Sequence, residues 1–470
     1  MKKRTLSLAL ALMICLGLTT PSLALPNGVA TVRADSLNGY GDGILTAVQN
    51  GKYGFYKADG TQVAAPTYAD AKNFSDGMAA VSATGSMQTI DETFEINAFV
   101  GGKYGYVDAS GKLAIPMKYA KAFDFSEDRA FVRETEDGPL LMIDKTGKVI
   151  ASYDNVDLWF YETVQFSEGL AILPIQNDYN GEDYYIAVDK TGKTVYTFED
   201  AYVDFEHGYQ NGLVAVAENG YWGTGGPCLE RGFNDMIGAG YRDKTGKKVI
   251  STDYDEICEF VDGIAAVGKV VDDPTYYVLH YGFIDTSGKE VIPVKYSSFV
   301  TDSGDIRAVI NDQNMRAYVD KSGREITGFL YEGTWGFYEG LSLVRAGNTI
   351  SVIDTSGKTV FTSDNCDRGY SYTDGLSVMW NSETGKRGVY DKTGNLVIPF
   401  QYDGANVIDG FLWLQSGGTW TVYRVDELDA PADPQPSLKT ANPSNDKLTV
   451  NGAEATPTVY NIDNSNYFKI

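Results

Sequence analysis

The sequence predicts an all-β protein built of tandem antiparallel hairpins. Three observations carry that expectation: an Asp-x-Ser/Thr-Gly tetrapeptide that recurs along the chain, short β-branched and aromatic segments on both sides of each copy, and no sustained helical period between them. The tetrapeptide begins at Asp108, Asp144, Asp189, Asp243, Asp285, Asp320, Asp354 and Asp391. A ninth, weaker copy, Lys57-Ala58-Asp59-Gly60, has its carboxylate displaced. In such a turn the aspartate accepts backbone N–H groups, and glycine takes the left-handed conformation that closes it.

The flanking residues repeat as well. Before the turn runs a short strand such as Tyr104-Gly105-Tyr106-Val107 or Tyr281-Gly282-Phe283-Ile284. After it comes a run ending at proline, such as Ala114-Ile115-Pro116 or Val397-Ile398-Pro399, then an aromatic at Tyr119, Tyr296 or Tyr402. A second glycine turn opens a small apolar strand, as in Asp76-Gly77-Met78-Ala79-Ala80-Val81. Segments of this length, rich in Val, Ile, Tyr and Phe, are strands.

Whole hairpins number ten, from 43–57 to 410–424, and both ends finish on complete hairpins. With no half-unit at one terminus to complete a blade begun at the other, the expectation is an open, curved array; the alternative is a β-propeller-like ring, although ten units exceed the usual propeller count.

The rest of the chain divides simply. Residues 1–24 read as a secretory signal peptide: a basic Met1-Lys2-Lys3-Arg4, an apolar run from Leu6 to Leu18, and small residues at Ser22 and Ala24. A lead-in covers 25–41, the repeat array 42–426, and an acidic, proline-marked linker 427–442. A new β segment begins at 443. No later stretch is apolar for long enough to cross a membrane as a helix. The expected address is therefore secreted or cell-envelope. Cys228, Cys258 and Cys366 remain after the signal segment; at most one pair can form, and the spacing does not say which. Lys and Arg number 39 against 63 Asp and Glu, for a net charge of −24. That balance argues against nucleic acid and anionic lipid as partners.

The strand of aromatic-Gly-aromatic-β-branched-Asp, followed by Lys-Thr-Gly-Lys, Val-Ile-Pro, Tyr-Asp and Phe-Ser-Glu-Gly-Leu-Ala, resembles the WG-repeat (KWG) family of bacterial proteins. The resemblance spans about 42–426. The family's Trp-Gly pair reads Tyr-Gly here, at Tyr53, Tyr104 and Tyr281, and only Trp420 places tryptophan in that slot. The resemblance implies an interaction module and little else about function. Residues 443–470, from Pro443-Ser444-Asn445 through Tyr460-Asn461-Ile462 to Ile470, resemble the opening strands of the copper-amine-oxidase N-terminal-like domain. That resemblance implies an envelope address, with neither copper nor amine oxidation.

Repeat lengths vary, and nearly all the variation falls between the Gly-Leu-Ala-Ala-Val-type strand and the next Tyr-Gly-type strand, at about 82–102, 174–183, 217–239 and 268–280. Insertions at one loop of a repeat collect on one face, often its binding face. The tip at 217–239 is the richest, and Tyr221, Trp222, Arg231 and Phe233 are its candidate contacts with a protein or a cell-wall glycan. The alternative is that this loop folds back over the sheet and buries its aromatics. Catalysis is not expected. His207 and His280 lie near no cysteine pair, His207 reading as an ordinary polar residue of a connecting segment. No Gly-x-Ser-x-Gly occurs, the glycines at 223–226 lack the lysine of a phosphate loop, and no cofactor or metal set is apparent. A carbohydrate-active enzyme using paired carboxylates in a groove of the array is the competing expectation.

Overall fold

Antiparallel pairing of short β-branched segments builds every sheet of this protein. The computed structural model describes residues 25–428, apart from 92–95, 159–162, 177–183, 200, 218–220, 223–227, 231–238, 272–277 and 301–303, together with short strands between 442 and 469. Among the described residues there is no α-helix, only a 3-10 turn at Val425–Glu427. Residues 27–425 form one compact unit. Its sheets follow one another as ten blades, at 36–68, 70–119, 121–153, 156–198, 202–251, 256–296, 298–320, 333–363, 368–402 and 404–424.

The tenth blade overturns the expectation of an open array. Its own three strands, Gly404–Ile408, Phe411–Ser416 and Thr419–Arg424, are completed by Ala30–Arg33 from the start of the chain, with Val32 opposite Trp420. The strands on either side of this splice are 386 residues apart in sequence at Ala34 and Trp420, whose indole N–H donates to the Ala34 carbonyl at 3.1 Å. Trp413, wholly buried, donates its indole N–H across to the Ala58 carbonyl of blade 1 at 2.8 Å. Residues 27–425 thus form a closed ring resembling a ten-bladed β-propeller. Counting hairpins concealed the splice because Ala30–Arg33 carries none of the repeat motif. Nine Asp turns for ten hairpins is the trace it leaves, since the last blade has no turn into a fourth strand of its own.

The core lies in the seams between blades. Phe55, Val81 and Val107 fill the seam of blades 1 and 2; Val32, Tyr56, Trp413, Trp420 and Val422 fill the closing seam. Burying a side chain of this size contributes about 1.5–3 kcal/mol. Across three junctions a tyrosine of the third strand donates its hydroxyl to a carbonyl in, or just after, the next blade's first strand: Tyr106 to Phe123 at 2.6 Å, Tyr241 to Cys258 at 2.8 Å and Tyr318 to Trp335 at 2.6 Å. Burial pushes the Tyr106 and Tyr241 phenols well above their usual range, so the hydroxyls stay protonated and available as donors.

The recurring Asp turns fasten the same seams. Asp144 Oδ1 accepts from Thr146 N at 2.9 Å, Thr146 Oγ1 at 2.6 Å and Lys148 N at 3.2 Å, and the turns at Asp108, Asp189, Asp243, Asp285, Asp320, Asp354 and Asp391 repeat the pattern. Most of these turns present their glycine to the fourth strand of the preceding blade. A Cβ on Gly111 would stand 2.1 Å from the Val63 carbonyl oxygen, and one on Gly60 would meet Ala30 and Val422 of the closing blade.

Residues 426–470 belong to a second unit. There Asn442–Ser444 pairs with Thr458–Ile462, which pairs with Ser465–Lys469; Leu448–Val450 and Ala453–Ala455 form a separate hairpin.

Candidate functional site

Because successive strands of a blade run in opposite directions, turns between first and second strands share one face with turns between third and fourth strands. The connections between second and third strands lie on the opposite face. On the turn face a ladder runs from blade to blade. Asp42 Oδ2 accepts from Gly77 N at 2.6 Å, Glu127 Oε1 from Gly169 N at 3.0 Å, Glu168 Oε2 from Gly212 N at 2.8 Å, and Asp374 Oδ2 from Gly410 N at 2.7 Å. Tyr40 and Asp409 pair across the closing seam, and burial together with that carboxylate pushes the Tyr40 phenol far up. The second residue of several Asp turns adds a cation: Lys145 reaches Asp76 at 2.8 Å, Lys244 reaches Glu168 at 3.0 Å and Lys392 reaches Glu339 at 2.8 Å. Where that residue is Thr286, the preceding blade offers Asn211 and no carboxylate.

The opposite face varies. Residues 86–100 leave blade 2 as a separate two-stranded sheet, and blade 6 extends its central hairpin over Ile264–Val271 and Val278–Asp285. The tip of blade 5 is stitched into its neighbour. Tyr221–Trp222 pairs with Leu229–Glu230, and Cys228–Glu230 pairs with Glu256–Cys258, which makes blade 6 a six-stranded sheet. Of the four candidate contacts, the structure thus brings Tyr221 and Trp222 onto the edge of blade 6; Arg231 and Phe233 lie outside the described residues. Cys258 is disulfide-bonded, the residue facing it in the ladder is Cys228, and Cys366 is free and buried.

The other end of the same strand, Glu256–Val261, closes a cavity of about 390 Å³ on the turn face. His207, Gln210, Asn211, Glu259, Phe260, Val261 and Asp262 line it. His207 Nδ1 lies 3.0 Å from Oδ1 of Asp204, whose side chain is 2 % exposed. That hydrogen bond pushes the imidazole up to about 9, with smaller contributions from the Glu259 and Glu206 charges. Burial pushes the Glu259 and Glu206 carboxyls up in turn. No helix among the described residues is long and apolar enough to cross a membrane.

The closed ring and its recurring Asp turns together define a β-repeat scaffold of the propeller class. Within that class, the chain carries WG containing repeats: the family model matches residues 53–85, 104–136, 240–269, 281–306, 317–349 and 388–420. Each matched segment runs from the third strand of one blade into the next blade, so the sequence repeat straddles the seams that hold the ring. No family match falls on 443–470, and the copper-amine-oxidase resemblance of that segment finds no support. Among curated proteins none matches. Solved structures similar in part include the computationally designed Ika8 protein, at 14 % identity over 64 % of this chain and 94 % of that one, with a TM-score of 0.31. Hsv2 of Kluyvelomyces marxianus is 9 % identical over 78 % of this chain and 99 % of that one, with a TM-score of 0.30. Likenesses that weak carry no weight for function.

Proposed function

We propose that the protein is an exported, non-catalytic scaffold that holds a protein or cell-wall glycan against the face bearing the long second-to-third-strand connections. One observation carries the reading: the longest connections, in blades 2 and 5, and the extended hairpin of blade 6 all project from that face, while on the opposite face hydrogen bonds between neighbouring turns recur at several junctions. A surface free to vary on a rigid frame is where recognition residues accumulate. Export is supported by the leader-like residues 1–24 and by the disulfide at Cys258, a bond that persists in oxidising compartments.

The test compares the full chain with two variants, one replacing 86–100 by a short Gly-Ser turn and one carrying Tyr221→Ala with Trp222→Ala. Each is sedimented with purified cell-wall sacculi and used as bait in an envelope extract. Loss of retention in a variant whose thermal transition is unchanged supports the reading. Retention indifferent to both variants rejects it, and turnover of a glycan that one carboxylate substitution removes would replace it with an enzyme.

A further inference from the structure

We propose that Asp204, His207 and Glu259 form a binding site for a divalent transition-metal cation, zinc or manganese, at the cavity between blades 5 and 6. It is independent of the proposed tip function and lies at the other face.

One ligand atom from each of the three residues lies within 4.8 Å of the others, a separation that a single ion can span. The donor set is one imidazole and two carboxylates. Such nitrogen and oxygen donors suit zinc or manganese, whereas calcium takes six or more oxygens. Glu259 Oε2 supplies the second, independent observation. This oxygen is fully withdrawn from solvent and has no hydrogen-bond partner among the described residues. A sequestered carboxylate oxygen left unsatisfied is costly, and a cation removes that cost.

The site also arises where the chain departs from its own repeat. Blades 2 and 4 lead into their first turns with Asn73-Phe74-Ser75-Asp76-Gly77 and Gln165-Phe166-Ser167-Glu168-Gly169. Blade 5 inserts residues here, reading Asp204-Phe205-Glu206-His207-Gly208 before the buried aromatic at Tyr209. The added loop is tied down locally: Gly208 N donates to the Asp204 carbonyl at 3.2 Å, and Gln210 Nε2 donates to the His207 carbonyl at 3.1 Å. His207 is thereby held beside Asp204, facing Glu259 of the next blade. Neither lysine nor arginine lines the cavity.

The experiment uses the full chain stripped with chelator and titrated calorimetrically with zinc chloride, then manganese chloride. The expected result is one tight equivalent, weakened at least tenfold in Glu259→Gln and in His207→Gln, and unchanged in Asp124→Asn, a partly buried carboxylate of blade 3. Zinc should raise the thermal midpoint of the parent and leave those of the first two variants unmoved. Glu259→Gln keeps shape and volume, and its metal-free circular dichroism checks that it folds. The proposal is overturned if the folded parent takes up no stoichiometric ion, if Glu259→Gln binds as tightly as the parent, or if millimolar calcium displaces zinc. In those cases Asp204 and His207 form an ordinary ion pair.

Discussion

The junction between blades 3 and 4 and that between blades 5 and 6 are built from the same parts and end up differently. At the first, Glu127 accepts from Gly169 N, and Lys190 approaches the same carboxylate at 3.7 Å. At the second, Asn211 and Thr286 replace carboxylate and lysine, an insertion brings His207 to Glu259, and a cavity opens. The stray tip of blade 5 docks on the far end of the same strand. The tyrosine clasp of Tyr241 on Cys258, of the kind that also joins blades 2 and 3, is nevertheless intact there. The difference teaches that ring integrity and local chemistry are separable in this architecture: apolar clusters hold both junctions, so the charge pairing of the turn face can be given up locally.

The largest expected effect breaks the frame common to both junctions. Trp413→Ala empties the closing seam and should cost about 3–5 kcal/mol, read as a lowered midpoint in denaturant unfolding. Gly111→Val, strained at φ 81° and driven into Val63, should cost about 1–3 kcal/mol in the same assay. Tyr106→Phe and Tyr241→Phe sharpen the comparison. Each leaves a buried carbonyl without its donor at about 1–2 kcal/mol, and equal losses are expected where blade 2 meets blade 3 and where blade 5 meets blade 6.

Acid provides a gentler probe. Hydrogen bonds from turn hydroxyls and backbone hold the Asp108, Asp144, Asp243 and Asp354 carboxyls below their usual range, and Asp320, bonded to Ser322 and Arg324, at about 2. A depressed carboxyl stabilises above its unfolded value near 4 and loses that contribution as pH falls through its folded value. The thermal midpoint should therefore drop between about pH 4 and 2, and Asp320→Asn should flatten the decline. The smallest effect is expected from Lys190→Ala, under about 1 kcal/mol and vanishing in high salt, because the pair it removes is partly exposed.

Much of this fold was legible in the chain. The Asp turns, the Tyr-Gly strands and the hairpin lengths follow from residues whose local chemistry determines their conformation. Ring closure was not, because Ala30–Arg33 is four residues of ordinary alternation and acquires meaning only from its partner at Thr419–Val422. Tyr221 and Trp222 were recognisable as unusual, but not as a strand pair, since the edge they join belongs to the next blade. His207 and Glu259 each look commonplace; they lie 52 residues apart, and only the seam between their blades makes them neighbours.

A crosslink at the splice tests the closed ring most directly. Thr31 and Thr421 face each other in the ladder, so Thr31→Cys with Thr421→Cys should oxidise to an intramolecular bond in the folded monomer, with unchanged circular dichroism and a raised thermal midpoint. A folded monomer in which these two thiols stay free, or join only between molecules, would mean that the blades do not come full circle.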